Sequence, residues 1–240
     1  MDLQPSSYEV STYRRQGYLV EGLLLDSARS HCWGDQMLIA ADAVPRRPAY
    51  ADGGGGVAVA VAVAESAHPM RGACDLDEWA QLIGLVANDA GVLTWVTALL
   101  GRPAQLSSAV ARLQPSDHTG GELWRQESAL CSPRPSRMVC VWLAMDDETE
   151  ESGCLVVLPR SHQQGLLHHT RYQGQWCADL SRPAAVLRSG GGHAVSLPAG
   201  GAVFYDGLLL TAALPGSPSA RQRALQLNFV PLGEEPQPRR

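Results

Sequence analysis

From residue 104 onward, apolar residues fall into short or alternating runs broken by Gly, Pro and polar turns, at 107–113, 122–128, 138–145, 154–158, 184–187, 193–197, 202–205, 208–214 and 223–230. Many short strands at such spacing predict a sandwich or jelly roll. The chain before them has a different texture. Residues 7–16 read as a short helix closed by Gly17, and Tyr18-Leu19-Val20 as a strand. Asp26 or Ser27 is placed to cap a helix running to about residue 44. A turn-rich stretch near 45–56 leads into a Val/Ala alternation over 57–64, which predicts a strand with one buried face. Asp75 or Asp77 then caps a helix through EWAQLIGLVAND, and GVLTWVTALL forms another, ended by Gly101. The expectation is one mainly β domain with N-terminal helices: a helical part over 1–103, a β core over 104–231 and a tail over 232–240. No repeat with a period of about 20 to 50 residues interrupts this plan.

Composition narrows the function classes. With 240 residues, 45% hydrophobic and 18% charged, the chain has the balance of a folded globular protein. Its net charge of −5 supplies no basic face for a phosphate backbone, so no nucleic-acid partner is expected. All 19 basic residues are Arg. Without Lys there is no Schiff-base chemistry and no GxxxxGK[ST] phosphate loop. Six cysteines without a CxxC pair offer neither a zinc ribbon nor a thioredoxin motif. The N-terminus has no basic-then-apolar leader, and no run of about 18 apolar residues follows, so a reduced, cytoplasmic protein without membrane contact is expected.

The segments GELWRQES, VWLAMDDETEESGCLVVLPRSHQQGLL and GGAVFYDGLLLTAALPGSPSARQRALQLNFVP resemble the phytanoyl-CoA dioxygenase family of iron(II)- and 2-oxoglutarate-dependent oxygenases. ESGCLVVLPRSH carries most of the likeness, being close to the family's ENGxLxxxPGSH. GYLV and ALLGRPAQL fit as well, so the resemblance spans nearly the whole chain. It implies a double-stranded β-helix, the cupin-like jelly roll.

The resemblance also implies a His and a carboxylate two residues apart on one strand, plus a distal His. Spacing i, i+2 aims both side chains to one face, and three such ligands make a facial triad for iron. Here the motif reads Trp124-Arg125-Gln126-Glu127, which keeps the carboxylate and replaces the first His by Arg125. The distal position holds Thr211, and a gapless count puts Gln222, flanked by Arg221 and Arg223, where the family has its 2-oxoglutarate arginine. A guanidinium has no lone pair to give a metal. No metal ligand and no cofactor are therefore expected, with iron(II) and 2-oxoglutarate as the alternative.

Arg125 and Glu127 become the candidate catalytic pair, pointing from one strand into a largely apolar cavity with room for a small molecule, where they need not saturate each other. Arg suits an enolate or carboxylate, and a Glu in an apolar barrel suits proton transfer. Trp124, Trp142, Gln114, Thr211, Tyr205, Arg221 and Arg223 are the candidate substrate contacts. The plainer alternatives are a charge pair that only fills the space of a lost metal, tryptophans that only pack, and Asp206 as a turn residue. His118, His162, His168, His169 and His193 read as surface or packing residues. Three functions stay open: a metal-independent cyclase, isomerase or lyase acting on a natural-product-like, anionic or carbonyl-bearing small molecule; a non-catalytic binding relative; and an iron/2-oxoglutarate oxygenase with unusual ligands.

Overall fold

The computed structural model describes residues 4–42, 58–63, 76–114, 122–132, 134–172, 175–179, 192–217, 222–234 and 237–238. Four helices come from the first hundred residues: α1 (Ser7–Gln16), α2 (Ser27–Asp42), α3 (Leu76–Ala87) and α4 (Ala90–Leu100). Ser6 and Glu9 form a capping box at the start of α1, and Gly17 ends it in the left-handed region at φ 86°. Asp89 caps α4 by accepting from Gly91 N and Val92 N, and Gly101 ends it.

The strands are β1 (Tyr18–Glu21), β2 (Ala58–Val63), β3 (Ala104–Gln114), β4 (Glu122–Arg125), β5 (Cys131–Ser132), β6 (Val139–Ala144) and β7 (Leu155–Leu158). They continue with β8 (His169–Tyr172), β9 (Gln175–Ala178), β10 (His193–Ala194), β11 (Ala202–Asp206), β12 (Leu210–Ala213), β13 (Gln222–Pro231) and β14 (Gln237–Pro238). A six-stranded sheet runs β1-β11-β6-β13-β3-β2, and a four-stranded sheet runs β10-β7-β12-β4. β1 and β2 belong to the larger sheet, so the N-terminal part and the β core share one layer.

Period-two alternation sorts the larger sheet into a helix side and an inner side. Val139, Val141 and Leu143 of β6, Phe204 of β11, and Leu225, Leu227 and Phe229 of β13 pack with Met37, Val96 and Leu99 on the helix side. Trp95 stacks on Phe204 with ring centroids 5.1 Å apart. Cys140, Trp142, Val203, Tyr205, Ala224 and Val230 face the other way and meet Leu155 and Val157 of the smaller sheet. The inner layer thus lies between two sheets, and its polar residues must find partners there.

The expected elements are present with some differences of extent. The 122–128 run stops being a strand at Arg125 and becomes a 3-10 turn over Glu127–Leu130. The 193–197 run keeps two strand residues, β10. The expected strand at 184–187 lies outside the described residues. The β8–β9 pair was not among the expected strands, because its polar His-Thr-Arg-Tyr strand carries no apolar alternation. Among the described residues no single helix is long and apolar enough to cross a membrane; α3 and α4 meet the test only together, bent by 59°.

Candidate active site between the two sheets

A bulge in β4 organises the site. Thr211 of β12 pairs with Arg125 and Ala213 pairs with Glu122, so three steps along β4 answer two along β12. The extra residue returns Glu122 to the face of Arg125, where strict alternation would have separated them. Arg125 then donates from Nη1 to Glu122 Oε2 at 2.7 Å and from Nε to Glu127 Oε1 at 2.8 Å. Burial opposes the charge on Arg125, but Glu122 and Glu127 outweigh it and raise its pKa further. The two candidate catalytic residues are therefore paired directly, through Nε of Arg125 and Oε1 of Glu127. Among the described residues, Nη2 of Arg125 and Oε2 of Glu127 make no hydrogen bond.

Arg112 reaches the same carboxylate from the opposite sheet. Its Nη1 donates to Glu122 Oε1 and its Nη2 to Gln226 Oε1 at 2.9 Å, while the guanidinium lies 5.8 Å from the centre of the Trp142 ring. Gln226 continues to Asn228, and Asn228 to the Ser108 hydroxyl. Burial alone would raise the Glu122 pKa, yet Arg112 and Arg125 together hold it below its ordinary value. Tyr205 and Cys140 are paired across β11 and β6 on the inner face beside this network. Burial raises the pKa of both, and the Glu127 carboxylate adds to the rise in each.

Farther along the inner layer, Trp142 Nε1 donates to both carboxylate oxygens of Glu148 at 3.0 Å. Burial pushes the Glu148 carboxyl up to about 8 against the lowering influence of Trp142 and Gln222, with Asp146 adding to the rise. The Gln222 amide is close enough to oppose that shift, although its Nε2 closes no hydrogen bond of ordinary geometry. Because this folded value stands above the ordinary 4.5, the associated stability is complete at low pH and is lost as pH rises through about 8. The loss approaches about 1.4 kcal/mol per pH unit between the two values. Glu148→Gln keeps an uncharged acceptor for Trp142, so its denaturant-unfolding stability should change less between pH 5 and pH 9, which are about those limits. An unchanged slope would show that Glu148 is not the titrating group.

Other expected contacts are corrected by the strand faces. Trp124 does not wall the inner space: it packs with Leu158, Ala178 and Leu210 on the far side of the smaller sheet. It lies so close over Gly192 that a Cβ there would come within 2.6 Å of the indole. Arg223 has the parity of Leu225 and so emerges on the helix side, donating Nε and Nη2 to Asp146 at 2.7 and 2.5 Å and Nη1 to Asp35 at 2.5 Å. It braces α2 and does not touch the inner space. Arg223→Met should cost about 3 kcal/mol in chemical denaturation, since Asp146 would lose its cation. Ligand affinity should not change.

Thr211 and Trp142 face inward as expected. Gln114 pairs with Gln222 at the end of β3, while Arg221 and His118 lie outside the described residues. Asp206 accepts from Leu208 N at 2.8 Å within the turn after β11. His162 and His169 contact backbone atoms of Arg14 and Gln126, and His193 lies 3.2 Å from the Tyr18 hydroxyl. Arg112, Glu122 and Glu148 were not among the expected site residues. Arg112 had a signal, a lone charge between Ala111 and Leu113 in an alternating strand.

Residues 13–223 match the phytanoyl-CoA dioxygenase (PhyH) family. The chain belongs to that family. No curated protein matches it in sequence. Among solved structures, this PhyH chain is similar to EvdO2 from Micromonospora carbonacea var. aurantiaca complexed with 2-oxoglutarate, at 18% identity and a TM-score of 0.69, covering 98% of this chain and 94% of that one. It is also similar to the epimerase SnoN in complex with Fe3+, alpha ketoglutarate and nogalamycin RO, at 19% identity and a TM-score of 0.69, covering 93% and 82%. A third similar structure is EctD from S. alaskensis with 2-oxoglutarate and 5-hydroxyectoine, at 14% identity and a TM-score of 0.68, covering 95% and 77%.

These findings confirm the double-stranded β-helix and overturn the expectation of no cofactor, because these PhyH-fold structures were captured with 2-oxoglutarate, one of them with iron. That expectation generalised from two side chains to a whole site. The side chains themselves still do not fit the family's iron centre. Arg125 and Thr211, which the resemblance aligns with the two His ligands, stand directly opposite each other, and Arg125 donates to two carboxylates. Among the described residues no three His, Cys, Asp or Glu side chains converge to hold a metal ion. A gapless count puts the uncharged Gln222 at the family's 2-oxoglutarate arginine, with Arg223 turned to the helix side and Arg221 outside the described residues.

Proposed function

We propose that this PhyH-family chain is an enzyme acting on an anionic or carbonyl-bearing small molecule of the natural-product kind, bound between the two sheets against Arg125 and Glu127. The carrying observation is the pair itself: a guanidinium whose Nη2 and a carboxylate whose Oε2 make no hydrogen bond among the described residues, both on the inner side at 2.8 Å from one another. In this reading Arg125 donates to the substrate oxygen on which negative charge develops. Glu127 takes a proton from the adjacent carbon and returns it to the same carbon in an epimerisation, to another carbon in an isomerisation, to the oxygen left by ring closure in a cyclisation, or to the departing group in an elimination, and none of these needs an oxidant. Thr211 and Tyr205 shape the floor around the pair. Arg125→Met should weaken the ligand by about 1.5–3 kcal/mol, the value of a hydrogen bond to a charged group, as read by calorimetry. Undiminished affinity would remove Arg125 from the binding role.

A second reading, an oxygenase using iron and 2-oxoglutarate, is favoured by the contents of the similar EvdO2 and SnoN structures. Incubating the full chain and candidate substrates with and without Fe(II) and 2-oxoglutarate separates the two. Product formation coupled to succinate release supports the oxygenase, and product formed without either supports proton transfer.

A further inference from the structure

We infer that Arg112 and Arg125 form a two-guanidinium site for a ligand carboxylate, and that Glu122 is its built-in occupant, displaced when the ligand enters. This rests on the reading above that the ligand lies between the sheets, and it adds the ligand's charged group and a device that guards it. The two guanidiniums come from different sheets, β3 and β4, and converge on opposite oxygens of one carboxylate. Each contact is a charge-assisted hydrogen bond, the strong kind a carboxylate accepts from a guanidinium.

Neither Arg depends on Glu122 for its place. Arg112 is held by Gln226 and lies over Trp142, and Arg125 is held by Glu127. Arg112 Nε is moreover buried with no hydrogen-bond partner among the described residues, which leave this guanidinium unsaturated. Glu122 is the most exposed member of the trio, its side chain 27% accessible against 15% for Arg112 and 10% for Arg125. Of the three side chains, Glu122 thus has the most contact with solvent, and in this inference it is the one that swings away. With Glu122 bound, two cations face two carboxylates, Glu122 and Glu127. When it leaves, one positive charge is uncovered, which matches one ligand carboxylate.

The test uses the full chain with benzoate as the charged probe and benzamide as its neutral counterpart, by calorimetry. Glu122→Gln keeps the size and removes the competing charge, so benzoate should bind about ten-fold tighter, as expected when one charge-assisted contact need no longer be exchanged. Benzamide affinity should stay where it was, and adding Arg112→Gln to E122Q should abolish the gain. Glu122→Asp, which retains charge on a shorter arm, should give an intermediate affinity and guards against a folding defect in the first variant. Benzoate affinity that is unchanged, weaker or unmeasurable in E122Q and E122D overturns the inference, as does an equal gain for benzamide. If E122Q gains benzoate affinity while Glu127→Gln leaves turnover intact, the carboxylate site stands and the catalytic reading falls; the reverse pattern rejects the built-in occupant alone.

Discussion

The double variant Arg125→His, Thr211→His should acquire tight binding of one divalent metal ion, read by titration with Ni(II) or Co(II) and by metal analysis after dialysis. The two positions are directly opposed on β4 and β12. Opposed residues have Cβ atoms about 4.5–5.5 Å apart, and Glu127 already reaches the Arg125 side chain at 2.8 Å. Two imidazoles there, with that carboxylate, make the 2-His-1-carboxylate arrangement. Removing Arg125 strips Glu127 of its cation, while Glu122 keeps Arg112. The carboxylate left alone is therefore the one the metal would use. Each single variant supplies only one His and should bind far more weakly than the pair. Equal affinity in the double variant and the starting protein would mean that the missing donors are not what separates this chain from a facial-triad site.

Glu127→Gln should lower turnover by about 10²–10⁴-fold, the usual worth of a positioned general base, with substrate affinity nearly unchanged. The amide oxygen can still accept from Arg125 Nε, so the guanidinium stays in place, but the amide takes no proton at neutral pH. Glu127 is only 3% exposed, and the near-isosteric change leaves no void. The measurement is kcat and KM for the pair of proteins on the same substrate: a fall in kcat at constant KM marks a group used in the reaction and not in binding. Full activity in Glu127→Gln would exclude Glu127 from catalysis and leave the Arg125–Glu127 pair as a filler of the space between the sheets.

The sequence by itself determined the layers. Alternation in residues 223–230 separates Leu225, Leu227 and Phe229 from Ala224, Gln226 and Asn228, and these sets become the two faces of β13. The caps at Gly17 and Gly101, and the placing of Arg125 and Glu127 together on the inner side, were legible for the same reason: each depends on neighbours in the chain. Parity would also have placed Arg223 with Leu225 and Trp124 opposite Arg125, had it been applied to them as strictly. Only the tertiary structure decided what Arg125 meets. Glu122 comes to its face through a bulge, and a register offset leaves no mark in a hydrophobic pattern. Arg112 arrives from the other sheet, and Glu148 rises to about 8 because packing encloses it beside Trp142. Local pattern sets which face a side chain takes, while the charge of a site depends on groups remote in sequence that closure of the two sheets brings together.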